Sequence, residues 1–233
     1  MTDLQAYLRR HGYASPARMV IRRGARLLTN IMPRYLAGRV LDIGCGDKSK
    51  RHLLDDRVTQ YVGLDHEGSL HDKSRVDIFG TAYSIPEPDG SFDGVVCTAV
   101  LEHLEEPRAA LNETFRVMKR GAYAVFTVPL FWHLHEEPRD FYRYTEHGLR
   151  HLFEGAGFSV VELIPASGFW LTVGSMWSYY LHSLPRGPWR HLARLLIMLN
   201  NFFFPLLDSI DRRFNSQARR FTWMYLLVAR KPE

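Results

Sequence analysis

The stretch Val40–Lys50 reads "VLDIGCGDKSK". Val40-Leu41-Asp42-Ile43 looks like a buried strand, and Gly44-Cys45-Gly46 is a tight turn whose glycines, lacking a Cβ, let the backbone come close to a ligand. A dinucleotide loop would carry a third glycine where Lys48 stands, so that its helix can pack on the strand while its N-terminus meets a pyrophosphate. Lys48 weakens that reading. Asp42, directly before the turn, argues against a phosphate and for a ligand with a cationic amine.

Outward from this turn, strand-like and helix-like runs alternate. Met19 to Arg34 is an amphipathic helix with Met19, Val20, Leu27, Leu28 and Ile31 apolar. A short helix is expected near Lys50 to Leu54, then strands over Tyr61–Asp65 and Asp93–Thr98. A helix starts at Pro107 with Gly121 just past its end, and "AYAVFTVP" is a strand closed by Pro129. Thr145 caps a helix stopped by Gly155 and Gly157, and strands follow in "FSVVELIP" and "FTWMYLLVAR". The alternation predicts an α/β fold with a parallel sheet covered by helices on both faces. Ligands of such sheets sit beyond the carboxyl ends of the strands, where the strand order switches. Asp42, Asp65, Thr98 and Pro129 all fall at such ends.

The chain has 233 residues and a formal net charge of +5. Eight arginines lie from Arg9 to Arg39, and Asp3 is the one acid before Asp42. Arg186 to Arg220 is also arginine-rich, while the middle is balanced, a distribution that suits an anionic surface or a solvated helix face. The two cysteines, Cys45 and Cys97, stand at separate strand ends and imply no disulfide framework. The N-terminus lacks the apolar core of a signal peptide, so a cytoplasmic location is expected.

Asp65 lies 23 residues beyond Asp42 at the end of the second strand, where a carboxylate takes ribose hydroxyls. A nucleoside with an amino-acid tail meets every requirement so far, and S-adenosylmethionine is such a molecule. At this point the chain resembles class I S-adenosylmethionine-dependent methyltransferases of the type 11 kind. The matching pieces are "VLDIGCG", "YVGLD", "IPEPDGSFDGVVCTAVLEHL" and "ALNETFRVMKRGAYAVFTVP". The resemblance implies a Rossmann-like seven-stranded sheet with an antiparallel last strand. It implies an N-terminal helical segment (1–36), a methyltransferase domain (37–164 and 220–233) and a helical insertion before the last strand (165–219). It also implies that Asp42, Gly44, Cys45 and Gly46 surround the methionine part of S-adenosylmethionine. Asp65 then holds the ribose, Thr81 and Ala82 lie along the adenine, and Thr98 faces the cofactor. Thr81 replaces an acid that many relatives carry, and "KRGA" at Lys119–Ala122 replaces their proline-glycine-glycine turn.

Methyl transfer to a hydroxyl needs alignment and a base. His103, after the fourth strand, is one candidate. The other region is "FWHLHEEPRDFYRYT", Phe131 to Thr145, which combines histidines, acids, arginines and aromatics in one loop after the fifth strand. His133 and His135 are candidate bases there, with Asp140 beside them, and Arg139 or Arg143 can pair with a phosphate or carboxylate of the acceptor. No fixed metal-ligand spacing is present, so no metal is expected. "HEEPRDFYRYTEHGLRHLFEGAGF" and "GCGDKSKRHLL" also resemble methyltransferases of bacterial surface-polysaccharide and glycolipid biosynthesis. The expected reaction is O-methylation of a glycan, lipid-linked. Methylation of a quinone-like or other lipid molecule, or a catalytically silent membrane-associated partner, stands beside it. A nucleic-acid substrate ranks lower because no base-flipping motif is present.

Between Pro165 and Arg220, Leu192, Leu195, Leu199, Phe203 and Ile210 recur at helical spacing, with Arg190, Arg194, Asn201, Asp208 and Arg212 on a narrower polar side. Charges and Pro205 interrupt the run, which argues against a spanning helix. A helix in the interface of an anionic membrane on its inner face is expected, against the alternative of a lid or dimer surface.

Overall fold

The structure is a computed structural model describing residues 14–184, 187 and 189–233. The first 13 residues of the predicted basic segment lie outside it. The chain divides into two compact units. One comprises residues 28–130, 134–164 and 225–233; the other comprises residues up to 27, 131–133 and 165–224. The N-terminal segment and the insertion, read separately from sequence, thus fall largely into one unit.

The larger unit is built on one seven-stranded sheet. Its strands are β1 (Gly38–Ile43), β2 (Val58–Asp65), β3 (Ile78–Phe79), β4 (Phe92–Thr98), β5 (Met118–Pro129), β6 (Ser159–Pro165) and β7 (Met224–Arg230), in the order β3-β2-β1-β4-β5-β7-β6. β1 pairs in parallel with β2 and β4, and β4 in parallel with β5. β7 runs the other way. The Gly121 N–H donates to the Lys231 carbonyl at one end, and the Phe131 N–H donates to the Trp223 carbonyl at the other. The central strands carry continuous apolar runs because both faces are covered. Leu41, Ile43, Val95 and Phe126 join Leu111 and Phe153 in one buried core.

Among the described residues, α1 (Arg18–Tyr35), α2 (Pro107–Val117) and α3 (Glu146–Gly155) belong wholly or in part to the sheet unit, and α4 (Phe169–Ser183) and α5 (Trp189–Phe214) form the body of the smaller unit. α3 has the ends its sequence announces. Thr145 Oγ1 accepts from the Gly148 N–H at 3.1 Å, and Gly157 (φ +93°) turns the chain so that the Phe158 N–H reaches the Phe153 carbonyl at 3.1 Å. α2 does not run to Gly121 as expected. It stops at Val117, and Met118, fully buried and extended, opens β5 opposite Phe92. Lys119, which looked like a last-turn helix charge, pairs instead with Asp93 at 2.6 Å. Gly94 in β4 leaves room for Leu36; a Cβ there would lie 2.8 Å from its Cδ2.

In the smaller unit, α4 and α5 lie antiparallel. Gly168 meets Asp208, Gly174 meets Phe204 and Ser178 meets Asn200. Met19, Ala166, Leu171 and Trp223 form a small core, with Trp132 packed on it. The polar side of α5 is only partly a solvated face. Asn200, Asn201 and Asp208 are buried, and the Asp208 carboxylate accepts from the Gly168 and Leu171 N–H groups, both at 3.0 Å, at the start of α4.

Candidate active site

A cavity of about 890 Å³ opens at the carboxyl ends of β1, β2 and β4. These strands flank the point where the sheet order switches, which is where a parallel sheet leaves room for a ligand. Gly44, Cys45, Gly46, Asp65, Thr81, Ala82, Thr98 and His103 all line it.

The glycine turn is shaped by its neighbours. Gly44 has φ +68°, and a Cβ on it would lie 2.4 Å from Val100 Cγ2. Gly46 has φ +49°, and its N–H donates to Asp65 Oδ2 at 3.0 Å. Asp65 Oδ1 accepts from the His66 N–H at 2.8 Å. Two backbone donors therefore fix the carboxylate, and each oxygen keeps a lone pair for a ligand hydroxyl. After the turn the chain forms only a five-residue 3-10 helix, Ser49–Leu53. No long helix starts there to meet a pyrophosphate, which accounts for Lys48 in place of glycine. Lys48 itself adopts φ +57° and pairs with Asp77, which also accepts from the Gly63 N–H at 2.7 Å. Cys45 is buried, and burial pushes its thiol pKa up to about 12, so it packs and does not react.

Asp42 is not on the cavity wall. It is fully buried, its Oδ2 accepts from the Tyr61 hydroxyl at 2.7 Å, and its Oδ1 has no hydrogen-bond partner among the described residues. Burial raises its pKa, with Lys50, a wall residue, acting against the shift. Asp42 thus stands behind the turn that was expected, with it, to surround the methionine part of the cofactor.

The loop after β5 reaches the cavity through Glu136, Glu137, Pro138, Arg139 and Phe141. Of the residues chosen from it, His133, His135, Asp140 and Arg143 do not line the cavity. His133 belongs to the smaller unit and packs on Trp132 and Tyr179. Arg143 grips Asp140 at 2.6 and 2.7 Å, and this pairing holds the Asp140 carboxyl well below the usual carboxylate range. Asp140 also accepts from the His135 N–H at 2.9 Å. That bond places the His135 ring edge-on to His103, with centroids 4.7 Å apart. The loop is pinned to the short 3-10 segment Leu101–His103. The Phe141 and Tyr142 N–H groups donate to the Glu102 carbonyl at 2.9 and 3.2 Å, and the Tyr144 hydroxyl donates to the Leu101 carbonyl at 3.1 Å. The Arg139 carbonyl and the His135 ring of this loop thus hold His103.

His103 is the focus of this support. Its Nδ1 lies 2.5 Å from the Arg139 carbonyl. A carbonyl only accepts, so Nδ1 carries the proton and Nε2 keeps its lone pair. Nε2 is buried and makes no hydrogen bond among the described residues. Glu102 is buried beside it, and burial pushes its pKa up to about 8, so its carboxyl is protonated at neutral pH. Glu102, His103 and His135 also bring one donor atom each within 4.8 Å of one another, a spacing that a cation could bridge and that the linear sequence did not disclose.

Several wall residues were not chosen from sequence. His66 and His71 come after β2, so their place after the strand-end acid was the available signal. Glu136 sits in the loop already singled out, and its Oε1 meets His71 Nε2 at 3.3 Å, joining the loops after β2 and β5. Arg139, named from sequence as a partner for an acceptor phosphate or carboxylate, is on the wall as well.

A switch-point cavity with a glycine turn, a strand-end acid and no phosphate-binding helix defines a nucleoside site of the methyltransferase kind. The chain belongs to the methyltransferase family whose model, described as "Methyltransferase domain", matches residues 13–163. It is 36% identical over 100 residues to a protein of Mycolicibacterium smegmatis described as "Probable S-adenosylmethionine-dependent methyltransferase", covering 40% of this chain and 39% of that one. It is 34% identical over 119 residues to the demethylmenaquinone methyltransferase of Renibacterium salmoninarum, covering 47% and 50%. The chain thus spans about two-fifths to one-half of the length of these curated relatives. In fold it is similar to a chain of the complex between the Haloferax volcanii Trm112 methyltransferase activator and a methyltransferase, with a TM-score of 0.58 at 21% identity, over 91% of this chain and 89% of that one. The cofactor of this family is S-adenosylmethionine, and the site fits it. Gly44 has no room for a side chain, Asp65 retains free lone pairs, and the cavity is large enough for a nucleoside with a tail.

Proposed function

We propose that the protein methylates an oxygen of a lipid-borne acceptor, a lipid-linked saccharide, with His103 as the base. The observation that carries this reading is His103 on the cavity wall, with Nδ1 tied to the Arg139 carbonyl and Nε2, buried beside Glu102 and Glu136, without a hydrogen bond among the described residues. When bound, S-adenosylmethionine supplies a methyl on a sulfonium, and an acceptor oxygen takes that methyl while the carbon–sulfur electron pair returns to sulfur. Asp65 would hold the ribose through the lone pairs that Gly46 and His66 leave open. Thr81 and Ala82 would border the adenine. His103 takes the hydroxyl proton on Nε2, and the pinned loop fixes its ring. Glu102, protonated at neutral pH, leaves no negative charge buried beside the base.

A quinone-like acceptor is the second reading, supported by the demethylmenaquinone methyltransferase relative. The two are separated by mass spectrometry of glycolipids and quinones from cells with and without the protein, where one class should lose one methyl. With the acceptor so found, His103→Gln should lower kcat about 10²- to 10⁴-fold and leave S-adenosylmethionine affinity unchanged. Full activity of His103→Gln would remove the base assignment. A chelator should leave turnover unchanged; loss restored by a divalent cation would make Glu102, His103 and His135 metal ligands instead.

A further inference from the structure

The α4–α5 pair has its polarity turned inside out. On α5 the buried positions include Asn200 and Asp208, at 7% and 2% exposure, whereas Leu195, Phe202 and Ile210 are 51%, 69% and 49% exposed. α4 repeats the pattern: Thr172, Ser175 and Ser178 are buried, and Met176, Trp177 and Tyr180 are exposed. The buried polar groups are satisfied within the pair. The Asn200 amide donates to the Gly174 carbonyl and the Ser178 hydroxyl, Ser175 Oγ donates to the Leu171 carbonyl, and Asp208 caps the start of α4. Gly174 lets the helices approach closely; a Cβ there would lie 2.6 Å from the Phe204 ring. Small residues and interhelical hydrogen bonds inside, with large apolar side chains outside, is the packing helices use when their surroundings are hydrocarbon. In water the exposed face has no driving force to be there.

From this we infer that α4 and α5 insert together into one leaflet of an anionic bilayer. Length sets the depth. α5 has 26 residues and is long and apolar enough to cross a membrane, but its partner α4 has 15, about 22 Å of helix against a hydrocarbon core of about 30 Å. A pair held together along its length by buried polar contacts therefore enters without crossing. Charge identifies the lipid. Exposed Arg190 and Arg194 lie at the first turns of α5, and exposed Arg213, Arg219 and Arg220 at and beyond its end. Trp189 at one end and Phe214 at the other are among its most exposed side chains. Arginines at both ends of an apolar stretch suit a helix whose ends meet acidic headgroups and whose middle enters the acyl chains.

The test is flotation of the full chain with vesicles of phosphatidylglycerol and phosphatidylcholine. The protein should float with them, remain largely bound in high salt, and bind vesicles of phosphatidylcholine alone about tenfold less. The variant Leu195→Ser/Phe202→Ser/Ile210→Ser changes only exposed positions, so it should keep its circular dichroism and its S-adenosylmethionine binding while losing at least tenfold in vesicle partitioning. A wild-type chain that stays in solution beside these vesicles overturns the proposal. So does a defined dimer in light scattering that the same triple variant dissolves, because a second copy would then cover the face. S-adenosylmethionine binding is read independently, so failure here leaves the catalytic reading standing.

Discussion

The sheet unit and the helical pair solve burial in opposite ways. Around the sheet, Leu41, Leu111 and Phe126 are inside and charged residues outside. Between α4 and α5, Asn200, Ser175 and Asp208 are inside and most of the leucines and phenylalanines of α5, such as Leu195, Phe202 and Phe203, outside. The first arrangement is stabilised by removing apolar surface from water. The second holds through hydrogen bonds, a close glycine contact and a buried carboxylate at a helix start. Amphipathic spacing alone does not say which face is the inner one.

Matched substitutions break or sharpen this contrast. Leu111→Ala removes a fully buried side chain and should cost about 2–5 kcal/mol, whereas Leu195→Ala on the outward face of α5 should change stability by less than about 0.5 kcal/mol. Thermal unfolding in vesicle-free buffer measures both; equal losses would mean that the outward face is buried in solution. Asp208→Ala comes next. It leaves the Gly168 and Leu171 N–H groups buried without their acceptor and should cost about 2–4 kcal/mol, more than any exposed leucine of the same helix. A loss below about 0.5 kcal/mol would deny the polar interior.

The smallest expected effect concerns Glu102 and depends on pH. Its folded pKa of about 8 lies above its unfolded value, so its contribution to stability is full below the unfolded value. That contribution fades as pH rises, and is gone above about 8. Glu102→Gln should therefore flatten the stability profile between about pH 4.5 and 8, with a gain over wild type on the order of 1–3 kcal/mol at the alkaline end. Asp140, held below its usual range by Arg143, acts in the opposite sense: its contribution is present above the ordinary carboxylate range and is lost as pH falls into acid. Unfolding midpoints at several pH values test both signs.

What the sequence disclosed was local or periodic. The glycine turn, the strand-end acid at Asp65, the cap at Thr145 and the stop at Gly157 each depend on neighbours in the chain. What it withheld depends on contacts across the fold. Asp42 looks like a ligand residue until Tyr61 in the adjacent strand takes its carboxylate. Asp140 and Arg143 look like an acceptor site until they close on each other. α2 stops short of Gly121, the expected stop, because Met118 has already joined the sheet.

The bond from His103 to the Arg139 carbonyl also sets the traffic of protons. The carbonyl has no proton to give and passes none on, so the imidazole has one door, Nε2. That door is itself buried, with the carboxyl oxygens of Glu102 and Glu136 3.9 and 4.0 Å away. A proton taken up there must leave by the way it came. Under the proposed base role, Glu136, on the cavity wall, is the group through which that proton would reach solvent.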